Sequence, residues 1–284
     1  MSSESVVRSA VVGMDGSAAS RAALEWACDS LGRAGVVHAI HVRPDDVTTT
    51  PRTDLEGWVA ASSTGDASIR PVVLVGDPSE RLLQAADEFG ADLLAVGSHG
   101  QSDPLPQRLG HVARRLLRHT RAPIAIVGDD VSTSATNTVV AGVGHGAATR
   151  AALRWATTFA VDHHTGLKLI RAVPDRPLFR SDGLLDVMAW YIDRDMATGW
   201  ALEDLEAAAD AIERSTDDGL TISWSAPSGS PGSVLADTSV GASLLVVGLH
   251  EDDHESATDH DIPRWLHRVI THAPCPVVVV PVPD

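Results

Sequence analysis

Residues 9–27 read SAVVGMDGSAASRAALEWA, and residues 138–156 read TVVAGVGHGAATRAALRWA. Aligned without a gap, the two stretches are identical at ten of nineteen positions. Each begins with a short apolar run typical of a buried β-strand and continues with the apolar spacing of a helix. The same strand-and-helix unit therefore opens two halves of the chain, which predicts a duplicated α/β domain.

Two further pairs of matching segments extend this duplication along the chain. They are GADLLAVG (90–97) with GASLLVVG (241–248), and VARRLLRHTRAPIAIV (112–127) with WLHRVITHAPCPVVVV (265–280). Between the halves, residues 128–137 are polar and rich in Ser and Thr, which is typical of a linker. We therefore predict one domain at residues 1–131 and a second at residues 132–284.

Within each half, apolar runs alternate with helical segments. In the first half, strands are predicted at SAVVGM, VVHAIHV, PVVLV, ADLLAVG and APIAIV. Ser17 and Asp77 are candidate helix N-caps, Pro78 is a candidate first helical residue, and Gly32 is a helix stop. Apolar runs separated by helices indicate parallel strands covered on both faces. The predicted fold is α/β, with two tandem αβα sandwiches that each contain a five-stranded parallel sheet of Rossmann-like type.

The second half is longer than the first. The offset between matching segments grows from 129 to 153, so about 24 extra residues lie between the second and third strands of the second half. That stretch, about residues 182–215, contains the helix-like LEDLEAAADAIER, whereas its counterpart TDLEGWVAASSTGD is short. We therefore expect a reduced second crossover helix in the first half.

The composition excludes some classes of binding partner. Of 284 residues, 44% are hydrophobic. The chain contains 22 Lys and Arg residues and 38 Asp and Glu residues, which gives a formal net charge of −16 at pH 7. Such a surface repels nucleic acid and anionic lipid, and no apolar run reaches the ~20 residues that span a bilayer. The N-terminus lacks a basic region followed by an apolar stretch. We expect a cytoplasmic protein that binds neither nucleic acid nor membrane, with Cys28 and Cys275 as buried, reduced thiols.

A glycine-containing loop is the main candidate for a ligand site. Residues 96–111 read VGSHGQSDPLPQRLGH and lead from a predicted strand into a predicted helix. Ligands of open parallel sheets collect at the carboxyl ends of the strands, and helix N-termini bind phosphate. Glycines let the backbone approach oxygen atoms closely. A purely structural turn would also accommodate three glycines, so the loop alone leaves both interpretations open.

The wider pattern resembles the nucleotide motif of the universal stress protein family. The motif is G-x-x-G, nine residues and G, followed by an apolar-basic helix and a strand, and VVGMDGS, HV, GDP and VGSHG occur in the matching order. The resemblance covers nearly the whole chain as two tandem copies. It implies an adenine nucleotide α-hydrolase-like fold, two domains that pair through their last strands, and a role in stress adaptation. It implies ATP, ADP or AMP as ligand, with or without Mg²⁺, and leaves a homodimer open.

The candidate ligand-binding residues are Asp15, Val42, Gly97, His99, Gly100, Gly110, His111 and Val112. By their match to the family motif, Asp15 contacts the nucleoside, Val42 lines the adenine pocket, and the three glycines form the phosphate loop. The family motif usually has Ser or Thr directly after the third glycine, whereas this chain has His111. Imidazole favours a phosphate only if it donates an N–H or is protonated. Asp103 in the loop also opposes phosphate, and Arg108 and Arg114 are cations that could compensate.

The second half departs further from the motif. Gly144 stands at the position of Asp15, and Glu251 and Pro263 stand at the positions of the second and third glycines. The acidic loop around Glu251 would repel a polyphosphate. We therefore predict that the second half has lost the nucleotide site and serves to pair with the first.

Three functions stay open at this point. The first is a nucleotide-responsive binding module with little or no turnover, because the chain has neither a nucleophile elbow nor a P-loop lysine. The second is an interaction scaffold that binds no nucleotide, and the third is a slow ATPase. Residues 250–260 contain His, Asp and Glu of metal-ligand type, but they lack helical periodicity, so we interpret them as a solvated acidic loop and predict no metal site.

Overall fold

The structure is a computed structural model that describes residues 7–43, 52–62, 65, 67–100, 109–129, 137–175, 185–216, 219–249 and 262–282. The strands in these residues are β1 (Ser9–Gly13), β2 (Val36–Arg43), β3 (Ser68–Val75), β4 (Leu93–Gly97), β5 (Ile124–Val127), β6 (Thr138–Gly142), β7 (Gly166–Ile170), β8 (Ile222–Ser225), β9 (Leu244–Leu249) and β10 (Val277–Pro281). The α-helices are α1 (Ala18–Leu31), α2 (Arg52–Ala61), α3 (Pro78–Glu88), α4 (His111–His119), α5 (Gly146–Asp162), α6 (Leu185–Ser215), α7 (Pro231–Thr238) and α8 (Arg264–His272).

The helix boundaries in the first half follow the predicted capping residues. The Ser17 side chain accepts a hydrogen bond from the backbone N–H of Ser20 at 3.1 Å, which caps α1. Gly32 ends α1 with a positive φ of 59°, a conformation that glycine adopts at little cost. Asp77 accepts from the N–H of Glu80 at 3.0 Å, and Pro78 is the first residue of α3. These local predictions are confirmed.

The strands form one ten-stranded sheet in the order β3-β2-β1-β4-β5-β10-β9-β6-β7-β8. The pairs within each half are parallel, as predicted. The halves join through β5 and β10, which are antiparallel, with Ile126 opposite Val277 and Ile124 opposite Val279. Two similar domains related by an approximate two-fold axis must meet with their edge strands antiparallel. The pairing of last strands that the resemblance implies is therefore present within one chain.

Helices cover both faces of this sheet. The hydrophobic core on each face continues across the junction of the two halves. Val12, Ala125 and Val278 are fully buried on the face that packs against α1 and α5. Val11 and Ile124 are fully buried on the opposite face, against α3 and α4. Neighbouring residues of one strand face opposite sides because side chains alternate along a strand. The junction is thus built as a continuous hydrophobic core, which favours cooperative folding of the two halves.

The second crossover differs between the halves as predicted. In the first half it is α2 with 10 residues, and in the second half it is α6 with 31 residues. The carboxyl-terminal part of α6 packs against the sheet through a stripe of Ala201, Leu205, Ala209 and Ile212.

The halves also meet at the ends of two helices. Nδ1 of His163, which follows α5, lies 2.9 Å from the carbonyl oxygen of Phe159, and its Nε2 lies 3.0 Å from the carbonyl oxygen of Ser30 in α1. The ring also stacks on Phe159 with the centroids 3.9 Å apart. This side chain therefore links the carboxyl ends of α1 and α5 across the junction.

Both cysteines lie in the core, as predicted. Burial raises the pKa of the Cys28 thiol to about 11 and the pKa of the Cys275 thiol to about 11. No described helix is both long enough and apolar enough to cross a membrane.

Candidate functional site

A cavity of about 630 Å³ opens at the carboxyl ends of the strands in the first half. It lies where the strand order reverses, since β2 is on one side of β1 and β4 is on the other. The lining residues are Gly13, Met14, Asp15, Ser20, Ile40, Val42, Pro78, Leu82, Val96, Gly97, His99, Gly100, Gly110, His111, Val112 and Ala113. All eight residues that the sequence singled out are among them, so residues as distant as Asp15 and Val112 share one cavity.

The apolar end of the cavity was only partly predicted. Val42 is 9% exposed and stands beside Ile40 on β2, and Leu82 of α3 faces the same space. Ile40 and Leu82 carry no local signal of ligand binding, because an apolar residue in a strand or helix is normally a core residue. A flat apolar ligand group would fit between β2 and α3.

Asp15 is held in place at the end of β1. Its Oδ1 accepts the backbone N–H of Ser17 at 2.9 Å and the hydroxyl of Ser17 at 2.6 Å. The other carboxylate oxygen, Oδ2, faces Gly100, where a Cβ atom would lie 2.6 Å from it. The two serine contacts fix the direction of the carboxylate, which can then accept a hydrogen bond from a ligand hydroxyl or amino group.

Gly97 has a structural reason to be glycine that is independent of any ligand. A Cβ atom on Gly97 would lie 2.8 Å from Cβ of Ala19 and 2.9 Å from the backbone nitrogen of Ser20, so α1 could not pack as closely on β4. Its counterpart Gly248 on β9 meets Ala148 of α5 in the same way. Because both halves keep this glycine, it does not by itself indicate phosphate binding.

The amino terminus of α4 forms the polar end of the cavity. Gly110 is the N-cap, and no side chain caps the helix. The first N–H groups of an α-helix have no intrahelical acceptor, and the helix dipole gives this end a partial positive charge. The backbone N–H of Gly110 donates to the carbonyl of Ser98 at 2.8 Å, which ties the helix start to the loop after β4. This end of the cavity can therefore bind an anion.

The two histidines of the site are placed differently. Nδ1 of His99 lies 3.0 Å from Oγ of Ser98, and its Nε2 lies 3.5 Å from a carboxylate oxygen of Asp129. His111 is the first residue of α4 and is exposed. Sequence reasoning missed Asp129, since it follows β5 and reaches His99 only because β5 pairs with β4.

A smaller cavity of about 280 Å³ occupies the corresponding place in the second half. Gly144 takes the place of Asp15, so the carboxylate is missing, and Trp265 of α8 takes the place of Val112 and faces the cavity. Arg171, after β7, also lines it and is ion-paired with Asp204 of α6 at 2.9 Å. The bulky indole reduces the volume of the cavity, and the charged side chain of the Asp15 position is absent, while Arg171 enters from the strand that corresponds to β2.

Some predicted features lie outside the described residues. They are Asp103 and Arg108 in the first-half loop and the acidic segment at residues 250–261. Within the described part of the chain, no group of three or more His, Cys, Asp or Glu residues is arranged to hold a metal ion.

The comparison with known proteins agrees with the fold and the motif. The sequence model of the universal stress protein family matches twice, at residues 7–128 and 136–281. The two matches cover more than half of the chain, and the chain therefore belongs to the universal stress protein family.

Individual relatives are distant in sequence. A universal stress protein of Mycobacterium tuberculosis is 30% identical over 133 residues, which covers 41% of this chain and 44% of the relative, so the match spans less than half of either protein. A universal stress protein from Archaeoglobus fulgidus, of known structure, is 16% identical and superimposes with a TM-score of 0.65 over 97% of each chain. At that identity, the superposition shows a shared fold, including the tandem arrangement.

Proposed function

We propose that this chain is an adenine-nucleotide-binding module of the stress response, which holds one nucleotide in the first-half cavity. The observation that carries the proposal is the convergence of all eight motif residues on one cavity of about 630 Å³. Ligand pockets typically measure ~300–1,000 Å³ and combine apolar walls with a few polar groups. The cavity has both, arranged from an apolar end at β2 to a polar end at α4.

Each part of an adenine nucleotide has a matching part of the cavity. The base would lie between Val42 and Leu82, because both present apolar surface. Asp15 would accept hydrogen bonds from the ribose hydroxyls or from the amino group of adenine. The phosphate would lie at the amino terminus of α4, where unpaired N–H groups and the helix dipole favour negative charge. ATP, ADP and AMP share these three parts, and Mg²⁺ would accompany the longer phosphate chains.

We assign the second half a structural role. Its cavity has less than half the volume of the first, lacks the carboxylate and contains Trp265. A role in completing the sheet through β10 needs none of the motif residues. Catalysis would be weak, because no Lys or Arg is among the described residues that line the first cavity, and the charge that develops in phosphoryl transfer would be poorly stabilised.

Calorimetric titration of the nucleotide-stripped chain with ATP, ADP and AMP tests the proposal. We expect about one site per chain and a loss of at least ~tenfold in affinity for Asp15→Asn, which keeps the shape of the side chain but removes its charge. Arg171→Gln is the matched control in the second half and should leave binding unchanged. Loss of binding in Arg171→Gln alone would place the nucleotide in the second-half cavity and contradict the proposal. No binding at millimolar nucleotide would favour the scaffold, and turnover that Asp15→Asn abolishes would favour the slow ATPase.

A further inference from the structure

The helix α6 is longer than its sheet requires. It has 31 residues, and a helix of that length measures ~46 Å. The strands that it connects, β7 and β8, have 5 and 4 residues, and a strand of that size measures only ~17 Å. The buried side chains described in α6 lie between Ala201 and Ile212. In the first half, α2 makes the same crossover with 10 residues. The amino-terminal part of α6 is therefore not needed to cover the sheet.

Large apolar side chains are exposed where α6 leaves the sheet. Among the described residues, the large apolar side chains that are 40% or more exposed are Met196, Trp200, Leu202, Trp224 and Val240, and the first three belong to α6. Met196 is 48% exposed and Trp200 is 57% exposed. Residues four apart in a helix are neighbours, so these two side chains form one apolar surface. Grouped apolar side chains on a surface indicate a site of interaction with a partner.

Met196 and Trp200 belong to a stripe on the side of α6 that points away from the sheet. This stripe, the outer face of α6, consists of Met196, Trp200, Glu203, Ala207 and Asp210, which are all exposed. Steps of four and three residues keep side chains on one side of a helix, and the buried stripe that begins at Ala201 lies on the opposite side. A stripe with this spacing is typical of a helix that packs lengthwise against a second helix.

The charge of the outer face limits what can cover it. Along the stripe, apolar side chains alternate with the carboxylates of Glu203 and Asp210. Between residues 195 and 215, Arg214 is the only basic residue, whereas the acidic residues are Asp195, Glu203, Asp204, Glu206, Asp210 and Glu213. A second copy of this helix would bring like charges together, and an anionic membrane surface would be repelled. A partner with positive charge would be attracted.

We propose that the outer face of α6 binds a cationic amphipathic helix of another protein. Apolar side chains of that helix pack on Met196 and Trp200, and its Lys or Arg side chains pair with Glu203 and Asp210. Exposed tryptophans contribute much of the free energy of binding at protein interfaces, and methionine adapts its shape to different partners. The carboxylates speed the encounter and select against acidic partners. The proposal does not rest on the nucleotide site.

The test uses a fluorescently labelled synthetic peptide of about 18 residues that contains only Leu and Lys, spaced so that a helix carries Leu on one face. Fluorescence anisotropy measures its binding to the full chain at low and high salt. A peptide with the same composition in shuffled order keeps the charge without the apolar face, and a peptide with Glu in place of Lys reverses the charge. We expect the amphipathic Lys peptide to bind at least ~tenfold more tightly than either, with an affinity that falls as salt is added.

Variants locate the binding on the outer face. Trp200→Ser should weaken binding of the amphipathic Lys peptide at least ~tenfold. Val240→Ser is the matched control, because it removes an apolar side chain that is 73% exposed outside α6, and it should leave the affinity unchanged.

A second pair of variants tests the carboxylates. Glu203→Gln combined with Asp210→Asn should weaken binding about fivefold and reduce its dependence on salt. Glu88→Gln combined with Asp237→Asn removes the same charges from exposed positions in α3 and α7 and should have a smaller effect. Equal effects of the two double variants would show attraction to the net charge of the chain and would overturn the proposal.

Three other results would also overturn it. The first is equal binding of the shuffled peptide, and the second is an unchanged affinity in Trp200→Ser. The third is a different occupant of the outer face. Self-association of the chain in sedimentation, if abolished by Trp200→Ser, would assign the face to a second copy. Binding to lipid vesicles that the same variant abolishes would assign it to a membrane surface.

Discussion

Gly100 and Asp15 are in direct apposition across the mouth of the cavity. A Cβ atom on Gly100 would lie only 2.6 Å from Oδ2 of Asp15, while Oδ1 is held by Ser17. The carboxylate therefore cannot turn away from an added methyl group without losing its serine contacts. The absence of a side chain at Gly100 gives Asp15 the room to face the ligand.

Gly100→Ala should therefore weaken nucleotide binding through Asp15. The methyl group displaces the carboxylate, and we expect about a tenfold loss of affinity, or ~1.4 kcal/mol, with a smaller effect on the unfolding free energy. Calorimetric titration and urea unfolding measure the two effects. Gly57→Ala in α2 is the control, because nothing lies within 4 Å of the Cβ atom that it would add and Gly57 does not line the cavity. Equal losses in both variants would show that the loop does not act through Asp15.

Gly97→Ala should instead destabilise the fold. The added Cβ would press against Ala19 and Ser20 of α1, and overpacking of this kind typically costs ~1–3 kcal/mol. Gly248→Ala in the second half should have a comparable effect, although no ligand site is proposed there. Urea unfolding of both variants checks this. A stable Gly97→Ala variant with impaired nucleotide binding would show that this glycine serves the ligand after all.

The two halves should unfold in one transition, because both cores run through the junction of β5 and β10. Val278 is fully buried there, and Val278→Ala should lower the unfolding free energy by about 2 kcal/mol. Scanning calorimetry should show a single peak that moves as a whole to lower temperature, with equal calorimetric and van't Hoff enthalpies. A variant that splits the peak, with one half unchanged, would contradict a shared core.

The two thiols should resist modification until the chain unfolds. Since the pKa of each is raised to about 11, little thiolate is present at pH 8, and burial blocks the reagent. Reaction with a disulfide reagent should be at least ~100-fold slower than for an added cysteine in Val240→Cys, where the native side chain is 73% exposed. In urea, where the chain is unfolded, the native cysteines and the added cysteine should react at similar rates. Rapid labelling of the native chain would show that one thiol is accessible.

The stability of the chain should fall in mild acid through His38. Burial, with a smaller contribution from the charge of Arg70, lowers the pKa of His38 below its ordinary value of 6.5. The unfolded chain then binds a proton that the folded chain rejects, so stability is full above about pH 6.5 and falls as the pH drops toward the lowered pKa. Urea unfolding at pH 7.5 and 5.5 measures the change.

A matched variant isolates the contribution of His38. Its ring stacks on Phe89 with centroids 4.0 Å apart and planes within 6°, so His38→Phe keeps the packing and removes the titration. The decrease in unfolding free energy between pH 7.5 and pH 5.5 should be smaller in this variant than in the unchanged chain. An identical pH dependence would assign the effect to other histidines.

Local chemistry in the sequence was sufficient for much of the fold. The capping residues Ser17 and Asp77, the stop at Gly32 and the apolar runs act within a few residues, so they could be recognised without a structure. The duplication was visible because the same local signals recur in the same order. The long second crossover α6 followed from the length difference between the halves.

The sequence indicated eight of the residues that line the candidate site, but not the contacts that they make there. The resemblance to the family motif indicated the three glycines and Asp15, yet only packing shows that Gly97 makes room for α1 while Gly100 makes room for a carboxylate. Asp129 has no local signal at all, since it meets His99 through the pairing of β4 and β5.

By itself, the sequence determined the order of strands and helices and the repeat, because hydrophobic periodicity and helix caps are local properties of the chain. Only the tertiary structure decided the register in which β5 and β10 pair, that the first cavity is the larger, and that Trp265 and Arg171 line the second. Those outcomes depend on contacts between residues distant in sequence, and such contacts are fixed by the packing of the whole molecule.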